Sequence, residues 1–113
     1  MKSNEIKELF NKFEQIACEY EGVECWSARE LAALLGYGKW ENFQKVVDKA
    51  KETCENAGVS VDDHFPDVRK MITLAKGAVR EVVDYMLTRY ACYLIAQNGD
   101  SRKPEIGISD ILI

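Results

Sequence analysis

Two helix starts packed into eighteen residues, WSARELAALLGYGKWENF from Trp26 to Phe43, constrain this chain more than any other stretch. Ser27 followed three residues later by Glu30 is the pattern of a capping box. The hydroxyl takes the Glu30 amide proton and the carboxylate reaches back to the Ser27 amide. A helix therefore begins at Ser27, carries Leu31, Leu34 and Leu35 along one stripe, and ends at Leu35, where Gly36 supplies a left-handed residue. Beyond the Gly36-Tyr37-Gly38 turn, Trp40, Phe43, Val46, Val47, Ala50 and Cys54 line one side of a second helix. That helix runs to about Ala57 and stops at Gly58. Lys45, Lys49 and Lys51 alternate with Glu41, Asp48, Glu52 and Glu55 around the rest, the pattern of a solvated helix surface.

The flanking segments follow from periodicity. Ile6, Leu9, Phe10, Phe13, Ile16, Ala17 and Tyr20 fall at helical spacing, which predicts an amphipathic helix from Ser3 to Tyr20, stopped by Glu21-Gly22. Val23 to Trp26 suits a brief strand or a plain extended linker. Asn56 to Asp67 has no period and reads as a loop, with Phe65 held extended by Pro66. Downstream, two readings stand. Val68 to Leu74 and Val79 to Leu87 form a hairpin turning at Lys76-Gly77, followed by a helix from Arg89 to Gln97 with Thr88 as its cap; or one long helix runs from Ala78 to Asn98, since Val79, Val82, Val83, Met86, Leu87, Tyr90 and Leu94 also fit a helical period. The valine pairs and Gly77 favour the hairpin. The expected fold is thus α+β, a small helix-rich domain of four helices and a short β-hairpin sheet.

A chain of 113 residues holds one core of ordinary size. No run approaches the roughly 20 apolar residues of a membrane span, and MKSNEIKELF lacks the apolar segment of a signal peptide. A cytoplasmic location is expected, with no membrane partner. Cys18, Cys25, Cys54 and Cys92 are separated by 7, 29 and 38 positions, without the short pairs typical of zinc or redox sites, so reduced and partly buried thiols are expected. His64, the only histidine, reads as a loop or cap residue.

No phosphate-binding loop, dinucleotide fingerprint, HExxH pair, nucleophile elbow or CxxC is present, and Asp62-Asp63 is a weak carboxylate pair in a polar loop. No enzyme activity and no cofactor or metal are expected. Charge is more informative than motif. Residues 1 to 63 carry 8 basic and 13 acidic side chains, against 7 and 6 in residues 64 to 113. The basic groups of the second half are Arg69, Lys70, Lys76, Arg80, Arg89, Arg102 and Lys103. In a hairpin, alternation brings several of them to one side, Lys76 at the turn reaches a phosphate, and Tyr90 or Tyr93 stacks on a base; Lys39 is the one plausible contact in the paired-helix segment. Pairing of these groups with Asp67, Glu81 and Asp84 is the commoner arrangement of surface charge. The tail, Ile106 to Ile113, carries five aliphatics in eight positions, which suggests an added strand, packing on the core or a homodimer.

WSARELAALLGYGKWENFQKVVDKAKETCENAG and then DHFPDVRKMITLAKGAVREVVDYMLTRYACYLIAQNGDSRKPEI resemble the N-terminal region of the DNA-damage-inducible protein D family. More distantly they are similar to the Bro-N domain of phage antirepressor-like and viral proteins. The resemblance covers about residues 24 to 106 and implies an α/β domain in which a hairpin leads into the TRYACYLIAQNG helix. It also implies a role in the bacterial DNA damage (SOS) response, with DNA or a DNA-bound protein as partner, and it brings no catalytic residues. A module docking through its acidic N-terminal half on a recombination protein or repressor is the alternative. Family relatives continue past the RKPEI segment, whereas this sequence turns to GISDILI, so a single Bro-N-like domain over residues 1 to 113, without the family's C-terminal region, is expected.

Overall fold

The computed structural model describes residues 3–99. Within them the chain runs α1 (Ser3–Gln15), β1 (Cys18–Tyr20), β2 (Val23–Ser27), α2 (Ala28–Leu34), α3 (Trp40–Asn56), α4 (Val61–His64), β3 (Asp67–Thr73), β4 (Val79–Leu87) and α5 (Arg89–Asn98). The fold is α+β. The sheet has four antiparallel strands in the order β1-β2-β4-β3, larger than the expected hairpin alone.

The capping signals of the central segment act largely as read. Ser27 is extended and its hydroxyl accepts from the Glu30 amide at 3.4 Å. Among the described residues no bond returns from the exposed Glu30 carboxylate; the Ser27 hydroxyl instead donates to Asp84 on β4. Gly36, at φ 82°, ends α2 in a Schellman turn, with the Tyr37 amide donating to the Ala32 carbonyl and that of Gly36 to Ala33. Gly58, at φ 76°, repeats the device for α3: Val59 donates to the Cys54 carbonyl and Gly58 to that of Glu55. Phe43, Val47, Ala50 and Cys54 are the buried stripe of α3, and they face the buried Ala91, Cys92, Leu94 and Ile95 of α5.

Two expectations need correction, and one pair of readings is resolved. The first helix ends at Gln15, not Tyr20, because Glu21 (φ 51°) and Gly22 (φ 80°) are both left-handed and reverse the chain in two residues. Residues 18 to 20 are thereby drawn into a ladder with 23 to 25. The segment read as a loop holds a four-residue helix, α4, after Ser60, making five helices among the described residues. Between the two readings of residues 78 to 98, the hairpin is the one formed. Leu74 and Ala78 are bonded across the Gly77 turn (φ 82°), and Thr88 caps α5 by accepting from the Ala91 amide at 3.2 Å.

The core is anchored where α1 meets β2. Phe13 and Trp26 are fully buried and stacked with centroids 4.3 Å apart, and the indole N–H donates to the Phe13 carbonyl at 2.7 Å. Burial of two aromatics with a satisfied indole fixes the angle at which α1 leaves the sheet.

Candidate nucleic-acid interface

β3 and β4 pair over seven positions, from Asp67↔Tyr85 to Thr73↔Val79. β4 pairs with β2 only at its far end, through Trp26↔Leu87 and Ser27↔Met86. The Val79 end of the hairpin is therefore a two-stranded ribbon beyond the four-stranded sheet, and every residue from Thr73 to Glu81 is exposed. Residues directly opposite in an antiparallel ladder share a face. Lys70, Ile72, Arg80, Val82 and Asp84 therefore occupy one face, and Arg69, Met71, Val79, Glu81 and Val83 the other.

This register sorts the predicted residues. Lys70 lies opposite Val82 and Arg80 opposite Ile72, so the two cations are diagonal neighbours on one face, with Lys76 exposed at the turn. The same diagonal on the other face joins Arg69 to Glu81, at 3.7 Å. Lys70 Nζ also stands 3.9 Å from Asp84 Oδ2, while Arg80 and Lys76 have no acidic partner among the described residues. This face therefore carries two cations on a diagonal, one of them beside the buried Asp84 carboxylate. The opposite face exposes Met71 and Val79, each 60% accessible.

Arg89 belongs elsewhere. Its guanidinium bonds Glu14 at 3.0 Å and Glu24 at 3.2 Å, and lies over the Trp26 and Phe13 rings at 5.0 and 5.7 Å. Burial pulls its pKa down, but the two carboxylates outweigh that and hold it above the ordinary value. β4 alone puts on the order of 27 Å between the ribbon turn and α5, so Arg89 cannot share a contact with Lys76. Tyr90 is half-buried and meets His64 edge-on at 4.9 Å, and His64 Nδ1 lies 2.6 Å from the Thr88 hydroxyl. The histidine braces the start of α5, as a cap residue would. Tyr93 is half-buried and its hydroxyl accepts from Gln97. Lys39 is exposed at the start of α3, where its side chain makes no capping bond. Arg102, Lys103 and the Ile106 to Ile113 tail lie outside the described residues.

Two groupings escaped the sequence reading. Asp84, 1% exposed, accepts from the Ser27 hydroxyl and the Arg29 and Tyr85 amides; its alternation along β4 marks the face but not the partners. Cys18 and Cys25 stand opposite each other with sulfurs 3.4 Å apart. Glu21-Gly22, midway between them, was the available signal, since a two-residue turn there pairs 18 with 25. All four cysteines are free thiols, Cys18 exposed and the others buried. Asp62 and Asp63 are exposed and border an open cleft of about 210 Å³ beside Tyr20 and Met86. Among the described residues no helix is long and apolar enough to cross a membrane.

The sequence profile described as BRO family, N-terminal domain, matches residues 15–107, and the chain belongs to that family. Over 102 residues it is 45% identical to DNA damage-inducible protein D of Escherichia coli (strain K12), a match taking in 89% of this chain. The chain spans 37% of that relative's length. No solved structure matches the chain.

Proposed function

We propose that this chain is a non-enzymatic module of the DNA damage response that contacts DNA through the cationic face of the β3–β4 ribbon. The observation that carries the reading is the Lys70–Arg80 diagonal with Lys76 at the turn. A two-stranded ribbon has the width of a B-DNA major groove, and two cations on one face with a third at the turn meet phosphates without requiring a base-specific contact. The response to DNA damage comes from the similarity to DNA damage-inducible protein D, and contact with DNA in a bacterium would place the chain in the cytoplasm. With net charge −4, the remaining surface repels DNA, which confines contact to the ribbon and keeps affinity modest at physiological salt.

Fluorescence anisotropy with single- and double-stranded DNA at two salt concentrations tests this. Binding at low salt that is lost in the Lys76→Glu, Arg80→Glu double variant is expected. A flat titration at low salt, or binding indifferent to the double charge reversal, overturns it.

A second reading has its own observation. Glu19 and Glu24 stand directly opposite on β1 and β2, a like-charged pair at an exposed edge with Glu21 in the turn. That edge suits a basic protein surface, such as one on a recombination protein or repressor. Glu19→Lys with Glu21→Lys would abolish docking on such a partner and leave DNA binding intact or strengthened; unchanged docking would sink the second reading.

A further inference from the structure

We propose that Cys18 and Cys25 are a reversible dithiol–disulfide couple, a modification site for hydroperoxides on the β1–β2 hairpin. The left-handed pair Glu21 and Gly22 sets a two-residue turn, and that turn fixes the register Cys18↔Cys25. Directly opposed residues of an antiparallel ladder have Cα atoms about 4.5–5.5 Å apart, inside the roughly 4.4–6.8 Å window of protein disulfides. The two sulfurs already touch at 3.4 Å, one thiol donating to the other. Closure to a bond of about 2.0 Å asks for side-chain rotation and little of the backbone.

The two thiols have unequal surroundings, and this divides the labour. Cys18 is exposed at the edge of the sheet, while Cys25 is 2% accessible. Burial first, then the hydrogen bond with Cys18 and the charges of Glu19 and Glu24, push the Cys25 thiol up to about 12. Cys25 therefore stays protonated and does not attack first. In the first step the Cys18 thiolate attacks one oxygen of the hydroperoxide. The O–O bond breaks, Cys18 becomes a sulfenic acid, and the alkoxide or hydroxide leaves and takes a proton from water. In the second step the Cys25 sulfur attacks the Cys18 sulfur and the S–O bond breaks. The departing hydroxide takes the Cys25 proton and leaves as water. Two thiols and one hydroperoxide give one disulfide, one alcohol or water, and one further water, with two electrons passed from sulfur to oxygen. A small thiol reverses the reaction by exchange at the exposed Cys18. Cys54 and Cys92 are buried, with thiols raised by desolvation, and stand outside the reaction.

The crosslink would tie the first residue of β1 to β2 one residue before Trp26. A ring of this size raises Tm by about 10 °C in a chain of this length.

The native chain provides the test, because trypsin releases residues 13–29 as one peptide holding both cysteines and no other. After hydrogen peroxide and alkylation, that peptide should be about 2 Da lighter than the reduced form and carry no alkyl group, and dithiothreitol should restore two alkylation sites. In Cys25→Ser, Cys18 should stop at the sulfenic acid and label with dimedone. Three results would overturn the proposal: both thiols still alkylated after peroxide, Cys18 carried to sulfinic or sulfonic acid with Cys25 free, or chains joined to one another through Cys18. Absence of dimedone label in Cys25→Ser, with the fold confirmed by circular dichroism, overturns the first step.

Discussion

The Ser27 hydroxyl donates to Asp84 Oδ2 at 2.6 Å, across 57 positions of sequence and with both side chains buried. The same carboxylate accepts from the Arg29 amide at 3.1 Å and the Tyr85 amide at 2.8 Å. Ser27 thus accepts a bond from α2 and donates one to Asp84 on β4. A carboxylate taken out of water needs donors on both oxygens, and these three contacts with nearby Lys70 supply them. Asp84→Ala strands the Ser27 hydroxyl and an N-terminal amide of α2 and should cost about 3 kcal/mol. Ser27→Ala should cost about 2 kcal/mol, through a lost cap and a carboxylate short of one donor. Urea unfolding followed by tryptophan fluorescence reads both.

Salt dependence reports the number of phosphates met by the ribbon. Three contacts, from Lys70, Lys76 and Arg80, correspond to a slope of log K against log salt of about −2.7 on duplex DNA. The Lys76→Glu, Arg80→Glu protein should fall to about −0.9 or bind too weakly to measure. Anisotropy at four salt concentrations gives the slope.

Arg89 should matter for stability and not for DNA. Its side chain is 37% exposed, so solvent screens the Glu14 and Glu24 pairs, and Arg89→Ala should cost about 1 kcal/mol with the lost ring contacts included. DNA affinity should stay within twofold of the parent in the same anisotropy assay.

Phe13→Ala removes the ring stacked on Trp26 and leaves a cavity between α1 and β2. A loss of about 3–5 kcal/mol is expected, with a red shift of tryptophan emission as water reaches the indole. Calorimetry and fluorescence together separate this from simple unfolding.

Alkaline pH should weaken the fold. The thiols of Cys25, Cys54 and Cys92 are all raised above the ordinary 9.0, chiefly by burial, with Cys25 at about 12. A raised folded-state value means the folded chain holds its thiol protons where the unfolded chain releases them. The stabilisation is therefore complete below pH 9.0 and is lost as pH rises from there toward the folded values. Urea midpoints should be flat up to about pH 8 and fall by pH 10, and Cys92→Ala should show a shallower fall.

Helices α2, α3 and α5 and the hairpin were legible because each carries its own punctuation, whereas α4, a single turn, does not show a period. Ser27, Gly36, Gly58 and Thr88 act at the positions that their residue types suggest. The end of α1 was not, because Ile16, Ala17 and Tyr20 continue the helical period past the point where the chain straightens. A three-residue strand is too short to show alternation of its own. Pairing of β2 with β4 is non-local and leaves no mark in either segment. The basic residues could be picked by type, but the face each one occupies depends on register. Register separates Arg69 from Lys70 and Arg80, and tertiary contacts hold Arg89 against α1 and β2.

The place of β4 between β2 and β3 also dictates when the molecule can fold. As the chain leaves the ribosome, α1, α2 and α3 emerge long before their common seam. Trp26 waits for Leu87, some 60 positions later, before the strand it sits on gains its inner neighbour. Until then the nascent protein presents an uncovered edge and unburied aromatics to the cell. A fragment ending ahead of Leu87 should be recognised by chaperones or proteases as unfinished, however many of its helices have formed.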